Sequence, residues 1–283
     1  MSTVYLGTSD FAASVLRALA EGPHRPALVV TRPDARQGRG RKVAPPPVAV
    51  AARELGIDVD QPASVNDDEA RARIAAAQPD AVVVCAFGAL LKEPLLSEHD
   101  LLNVHPSLLP RWRGAAPLER AIMAGDAETG VSIMRVTAGL DSGPVYLQER
   151  EPIAPTDTYG SLAPRLEVLS ARLLIRTLEE RPEPREQPED GVTYAEKITA
   201  ADRTLDLTRP AQHNVDVVRA LNPHIVARLA LPGDGGFLGV HEARATPDGQ
   251  LELLTVQPAG GRPMSYADYL RGHGPVPGAP SSR

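Results

Sequence analysis

Asn103 and His105 stand two residues apart in LLNVHPSLLPRWRGAAP (101–117), closing a run that begins wholly apolar. Side chains of a β-strand alternate between its faces, so these two share one face and Val104 points to the other. An amide beside an imidazole supplies a donor for a developing oxyanion and a group that exchanges protons near neutrality. Those are the two needs of acyl transfer. A lone histidine in an apolar run is more often a hydrogen-bonded core residue. Asn103 on the same face, and the proline-bounded loop that follows, favour chemistry over that plainer role.

Two further segments carry candidate chemistry. In TAGLDSGPVY (137–146), Asp141 lies between Gly139 and Gly143, which let the backbone fold tightly against a ligand. Its carboxylate could orient His105 or take a proton from an amine; the same residues also make an ordinary Asp-Ser-Gly turn. Spacing alone does not bring Asp141 to His105. The stretch RPDARQGRGRKVAPPP (32–47) holds five basic residues, among them Arg36, Arg39, Arg41 and Lys42, against one acid. It reads equally as a solvated loop or as a phosphate-contacting one. Arg111 and Arg113 would extend it only if both loops lie on one side of the sheet.

Other signals are weak. GTSDF follows a strand without the further glycines of a dinucleotide fingerprint. There is no P-loop, and the seven histidines show no metal-ligand spacing. Ser107 lacks a G-x-S-x-G setting, and Cys85, inside an apolar run, reads as an inert core thiol.

The elements that must position these residues follow from periodicity. TVYLG (3–7), ALVVT (27–31), AVVVCAF (81–87), LLNVH (101–105) and GVSIMRV (130–136) read as strands, and the unbroken apolar ones suit a sheet buried on both faces. Ser9 and Asp10 are N-cap candidates for the helix that follows TVYLG, and PPVAVAARELG (46–56) and residues 159–180 read as further helices. The alternation predicts a Rossmann-like, doubly wound, mostly parallel α/β sheet, with Asn103 and His105 at its carboxyl edge, where such sheets bind ligands. The segment 182–196, rich in proline and charge, reads as a linker between a catalytic domain (1–181) and a C-terminal domain (197–283). The short runs VARLAL, GFLGVHEA and LELLTVQ make that second domain a small antiparallel barrel.

Composition narrows the class. The chain has 283 residues, 42% of them hydrophobic, a net charge of −6 and one cysteine. These values predict a globular protein with no intrachain disulfide, at home in the cytoplasm, and argue against a general nucleic-acid coat. MSTVYLGTSDF does not read as a secretory leader.

Together, the Asn-x-His strand end, the SLLP turn and the Gly-Leu-Asp-x-Gly loop resemble the formyltransferases that use 10-formyltetrahydrofolate. GTSDFAASVL, GRGRK, SLLPRWRGAAP, AGDAETGVSIM, VTYAEKI and VQPAGGRPM are similar to the branch that formylates methionyl-tRNA, along essentially the whole chain. The resemblance implies transfer of a formyl group from 10-formyltetrahydrofolate to the α-amine of initiator methionyl-tRNA, with no metal. Separately, no apolar run approaches the length needed to cross a bilayer, and a monomer with no membrane partner is expected. Asn103, His105 and Asp141 would be catalytic. Folate contacts would come from Ser107, Leu108, Leu109 and Pro110, and from Phe87, Gly88 and Leu90. The tRNA would meet Arg36, Arg39, Arg41, Lys42, Arg111 and Arg113, with Arg39 at the family's key arginine position.

Three departures from the family pattern stand out. Pro106 replaces a common glycine. LNPHI (221–225) stands where an aromatic Asn-Pro-Trp-Pro run is usual. TPDGQ shortens the C-terminal β segment. The runner-up enzyme is an amino-sugar formyltransferase with the same catalytic set, against which the basic loop, the Arg-Trp-Arg turn and VQPAGGRPM argue. A non-catalytic RNA-binding protein on this scaffold is the alternative from another class.

Overall fold

The computed structural model describes residues 1–37, 42–233, 236–274 and 276. The chain runs through β1 (Thr3–Gly7), α1 (Asp10–Glu21), β2 (Pro26–Val30) and a hairpin of β3 (Ala35–Gln37) and β4 (Lys42–Ala44). Next come α2 (Pro47–Glu54), β5 (Asp58–Asp60), α3 (Asp68–Ala76), β6 (Ala81–Cys85) and α4 (Leu95–Glu98). Then follow β7 (Leu101–His105), β8 (Arg113–Gly114), α5 (Pro117–Met123), β9 (Glu128–Arg135), β10 (Val145–Pro152) and α6 (Tyr159–Glu180). The last part holds β11 (Tyr194–Ala195), α7 (Ala211–Leu221), β12 (Ala227–Ala230), β13 (Phe237–Ala245), β14 (Leu251–Gln257), β15 (Met264–Ser265) and α8 (Tyr266–His273).

Seven strands form the main sheet in the order β10-β9-β7-β6-β1-β2-β5. β5, β2, β1, β6 and β7 run parallel, as the alternating strand and helix pattern predicts. β1 and β6 are buried at every position, which is why their sequences read as unbroken apolar runs. Val4, Leu6, Val30, Val82, Ile74, Leu95 and Leu101 meet in one core cluster. α1 starts where the Ser9 side chain accepts the Ala12 N–H, and it buries Ala12, Val15, Leu16 and Leu19 along one face.

β9 departs from the parallel pattern. It pairs with β7 antiparallel, Asn103 opposite Met134 and His105 opposite Ser132. Its C-terminal end therefore lies beside the beginning of β7, where the Val136 N–H bonds the Leu101 carbonyl at 2.9 Å. The loop between β9 and β10 starts at that end of the sheet.

The chain folds into two compact units. One comprises Met1–Ala115, Gly130–Glu151 and Pro164–Tyr194; the other comprises Ala116–Thr129, Pro152–Ala163 and Ala195–Arg283. The second unit thus gathers two earlier excursions as well as the C-terminal residues. It contains the four-stranded sheet β12-β13-β14-β15, in which each strand runs antiparallel to its neighbours. It also contains α7, which sequence reading passed over. Valines at 215, 217 and 218 favour strand, but Ala211, Val215, Val218 and Leu221 fall on one helical face and are buried there. Among the described residues no helix is long and apolar enough to cross a membrane.

Candidate active site

β7 delivers both residues as the alternation requires. His105 is buried, 4% exposed, while Asn103 is partly open. The His105 Nε2 lies 2.8 Å from the Trp112 carbonyl oxygen. A carbonyl only accepts, so Nε2 carries a hydrogen and Nδ1 is the atom free to gain or lose one. Nδ1 faces the Asp141 carboxylate, 3.7 Å from Oδ2. That separation is too long for a direct hydrogen bond.

Asp141 reaches this place from the opposite end of β7. The hairpin loop 136–144 folds back along the strand, so the carboxylate accepts from Asn103 Nδ2 at 3.3 Å and from the Gly114 N–H at 2.8 Å. Two backbone features make the path possible. Asp141 itself adopts the left-handed region, φ 43°, and Gly143 passes so near β9 that a Cβ would stand 2.0 Å from the Arg135 carbonyl oxygen. The two segments that spacing alone left apart are therefore in contact.

The turn after β7 is rigid. The Ser107 N–H bonds the His105 carbonyl at 2.9 Å, closing a three-residue turn centred on Pro106. Proline presets φ near the value that this turn needs and has no N–H to waste there, which accounts for its presence. Ser107 is fully buried, and its Oγ donates to the Arg111 carbonyl at 2.7 Å. Ser132 Oγ donates to the Ser107 carbonyl at 2.7 Å and accepts from the Leu109 N–H at 3.2 Å. The Gln148 amide caps the Leu109 carbonyl at 2.9 Å. Leu109 is buried; Leu108 and Pro110 are partly open.

The loop after β6 is pinned from two sides. Arg32 donates to the Gly88 carbonyl at 2.6 Å, and Asn66 holds Leu90 through its carbonyl at 2.9 Å. Ala86 and Gly88 both take positive φ, 42° and 73°, so the chain turns sharply here. Phe87 points into the core, whereas Leu90 on this loop and Leu140 beside Asp141 are 68% and 62% exposed. Large apolar side chains left this open, on loops braced this firmly, suit contact with an apolar part of a ligand.

The basic candidates separate. Arg36 and Lys42 are exposed on the β3–β4 hairpin; Arg39 and Arg41 lie outside the described residues. Arg111 stacks over the Trp112 ring at 4.4 Å. Arg113 instead holds Gln187 Oε1 with Nε at 3.0 Å and Nη2 at 2.7 Å. Sequence reasoning missed Gln187 altogether, because nothing in RPEPREQPEDG marks one polar residue above another. Cys85 is buried, and burial pushes its thiol up to about 12, which suits an inert residue.

In the second unit, LNPHI has its own logic. His224 stacks on Tyr159 with ring centres 3.7 Å apart, and its Nε2 lies 3.1 Å from Glu119 Oε1. The imidazole supplies a flat ring where the expected run has an aromatic residue. A pocket of about 960 Å³ in this unit is lined by residues such as Asp216, Arg219, His241 and Arg244, and by none of Asn103, His105 or Asp141. Arg219 pairs there with Asp216, and Arg244 pairs with Glu252.

Comparison with known proteins identifies the family. Residues 1–178 match the formyl transferase family model. The chain is 44% identical over 306 residues to the methionyl-tRNA formyltransferase of Halorhodospira halophila, covering 98% of each. The fold superimposes on the methionyl-tRNA formyltransferase from Clostridium thermocellum with TM-score 0.65 at 13% identity, over 94% of this chain and 99% of that one. It also superimposes on HypX from Aquifex aeolicus in complex with tetrahydrofolic acid, TM-score 0.63 at 15% identity, over 95% of this chain and 46% of that one. With a polar strand end, a left-handed aspartate and a relative this similar along its full length, the chain belongs to the methionyl-tRNA formyltransferase family.

Proposed function

We propose that this protein transfers the formyl group of 10-formyltetrahydrofolate to the α-amino group of initiator methionyl-tRNA, at the site formed by Asn103, His105 and Asp141. The observation that carries the reading is the Asp141 carboxylate, held by Asn103 and the Gly114 N–H and facing His105 Nδ1. In this reading the amine nitrogen adds to the formyl carbon and the carbonyl electrons move to its oxygen. Asn103 Nδ2 has two hydrogens; one goes to Asp141 and the other is available to that oxygen. Asp141 takes the proton that the amine loses, and a water bridging the 3.7 Å to His105 Nδ1 would let the imidazole share it. The tetrahedral centre then collapses, the bond to the folate nitrogen breaks, and that nitrogen takes up a proton.

The donor would lie between the 86–91 loop and the SLLP turn. Phe87, Gly88 and Leu90, with Leu108, Leu109 and Pro110, would supply apolar contact and backbone groups. The Ser107 hydroxyl, committed to Arg111, shapes this wall from behind. Arg36, Arg39, Arg41 and Lys42 would meet the phosphates of the tRNA acceptor end, with Arg111 beside them. Arg113 would act from within, through Gln187. The protein would work in the cytoplasm as a monomer. The test is formylation of initiator against elongator methionyl-tRNA with 10-formyltetrahydrofolate as donor. The initiator should react at least about tenfold faster in kcat/KM. Equal rates would remove the initiator preference, and a preference for amino-sugar acceptors would overturn the reading.

A further inference from the structure

Gln187 lies in the segment that sequence reading made a linker, yet it is wired into the candidate site. Its Nε2 donates to the Asp141 carbonyl and to the Gly143 carbonyl, both at 2.8 Å. Its Oε1 accepts from Arg113 Nε at 3.0 Å and Nη2 at 2.7 Å. Every strong hydrogen-bonding position of one carboxamide is used, and all four bonds join segments that flank the chemistry. The segment is itself anchored: Arg185 and Val145 exchange backbone hydrogen bonds of 2.8 Å each way. Thr193 accepts the Trp112 N–H through Oγ1 at 2.9 Å and the Arg113 N–H through its carbonyl at 2.9 Å. Trp112 is the residue whose carbonyl holds His105.

The conformation being held is an uncommon one. Asp141 sits at φ 43° and Trp112 at φ 63°, both in the left-handed region that side-chain-bearing residues rarely occupy. Such residues persist where surrounding bonds over-determine them. Gln187 does this for the Asp141 turn, and its partner Arg113 adjoins the Trp112 turn.

We propose that Gln187, braced by Arg113, is a positioning residue that holds the backbone turn of Asp141 so that its carboxylate meets Asn103 and faces His105. It touches neither substrate; it acts through Asp141. This rests on the reading of Asp141 as catalytic.

Two single variants, one double variant and two readouts, turnover and amide exchange, test it. Gln187→Ala removes all four bonds. Gln187→Glu keeps an acceptor for Arg113 but turns oxygen toward two carbonyls that need a donor. Both should lower kcat by about 30- to 100-fold, the scale of a misplacement near 1 Å, with KM for the folate donor within about twofold of wild type. Placed on Asp141→Asn, Gln187→Ala should cost almost nothing further, because the group it positions is already gone. Wild-type kcat in Gln187→Glu, or losses that multiply in the double variant, would overturn the proposal. Independently of turnover, amide hydrogen exchange across 139–143 should quicken by roughly tenfold in Gln187→Ala while β7 stays protected. Unchanged exchange there would overturn the brace as well. A wild-type protein that formylates no methionyl-tRNA would sink the functional reading instead, and the exchange measurement would still decide the brace.

Discussion

The end of β7 and the β3–β4 hairpin carry the two kinds of polar residue on which the proposed reaction depends, and they are built oppositely. At the strand end, His105 is buried and bonded to Trp112, while Asp141 is held by Asn103, the Gly114 N–H and, through its backbone, Gln187. On the hairpin, Arg36 and Lys42 stand exposed on two three-residue strands. The first arrangement holds its polar atoms by hydrogen bonds before any ligand arrives, as transition-state stabilisation demands. The second offers charge at the surface of an acidic protein, which attracts a polyanion from a distance and tolerates imprecise placement. Substitutions at the strand end should therefore act on kcat with geometry-like steepness, and substitutions on the hairpin should act on KM with salt-like gradation.

The strongest way to break this contrast is Asp141→Asn. Asparagine tolerates the left-handed region, so the melting temperature should stay within about 2 °C of wild type while kcat falls about 10³-fold. A large drop in stability would make Asp141 structural. Asn103→Ala removes one oxyanion donor and should lower kcat by about 10²-fold in steady-state assays. A change confined to KM would reject that role. Arg36→Ala with Lys42→Ala should raise KM for tRNA by about tenfold and flatten its log–log salt dependence by about two. KM for the folate donor should not move; if both constants rise together, the hairpin shapes the site rather than gripping RNA.

The smallest effect belongs to the second unit and leaves turnover aside. A hydrogen bond from Arg120, reinforced by Thr199, holds the Asp202 carboxyl down to about 2, below its usual 3.8. A depressed folded-state value stabilises above the ordinary one, and that contribution disappears as pH falls toward the depressed value. Asp202→Asn should thus lower the melting temperature by about 2–4 °C at pH 7. The gap should close between about pH 4 and pH 2. A gap independent of pH would place the effect elsewhere.

Much of this was legible in the residues, for physical reasons that can be named. LLNVH occupies 101–105 as a strand because its alternation fits a pleated ladder, and it puts Asn103 and His105 on one face. The continuous apolar runs announced β1 and β6. What stayed hidden depends on contacts far along the chain. The antiparallel direction of β9 decides that Asp141 arrives from the far end of β7, and no local pattern encodes a strand's direction. The positive φ of Asp141 and Trp112 breaks local preference and is enforced by surrounding bonds. Gln187 was invisible because one carboxamide among prolines and charges has no signature until Arg113 and Gly143 surround it. The helical face of α7 was masked by its β-branched valines.

One measurement tests the central claim most directly: single-turnover formyl transfer from 10-formyltetrahydrofolate to initiator methionyl-tRNA by the wild-type protein and by Asp141→Asn, both at saturating enzyme. The account predicts N-formylmethionyl-tRNA from the wild type and a transfer step about 10³-fold slower in the variant. Transfer at comparable rates by the two proteins would contradict it.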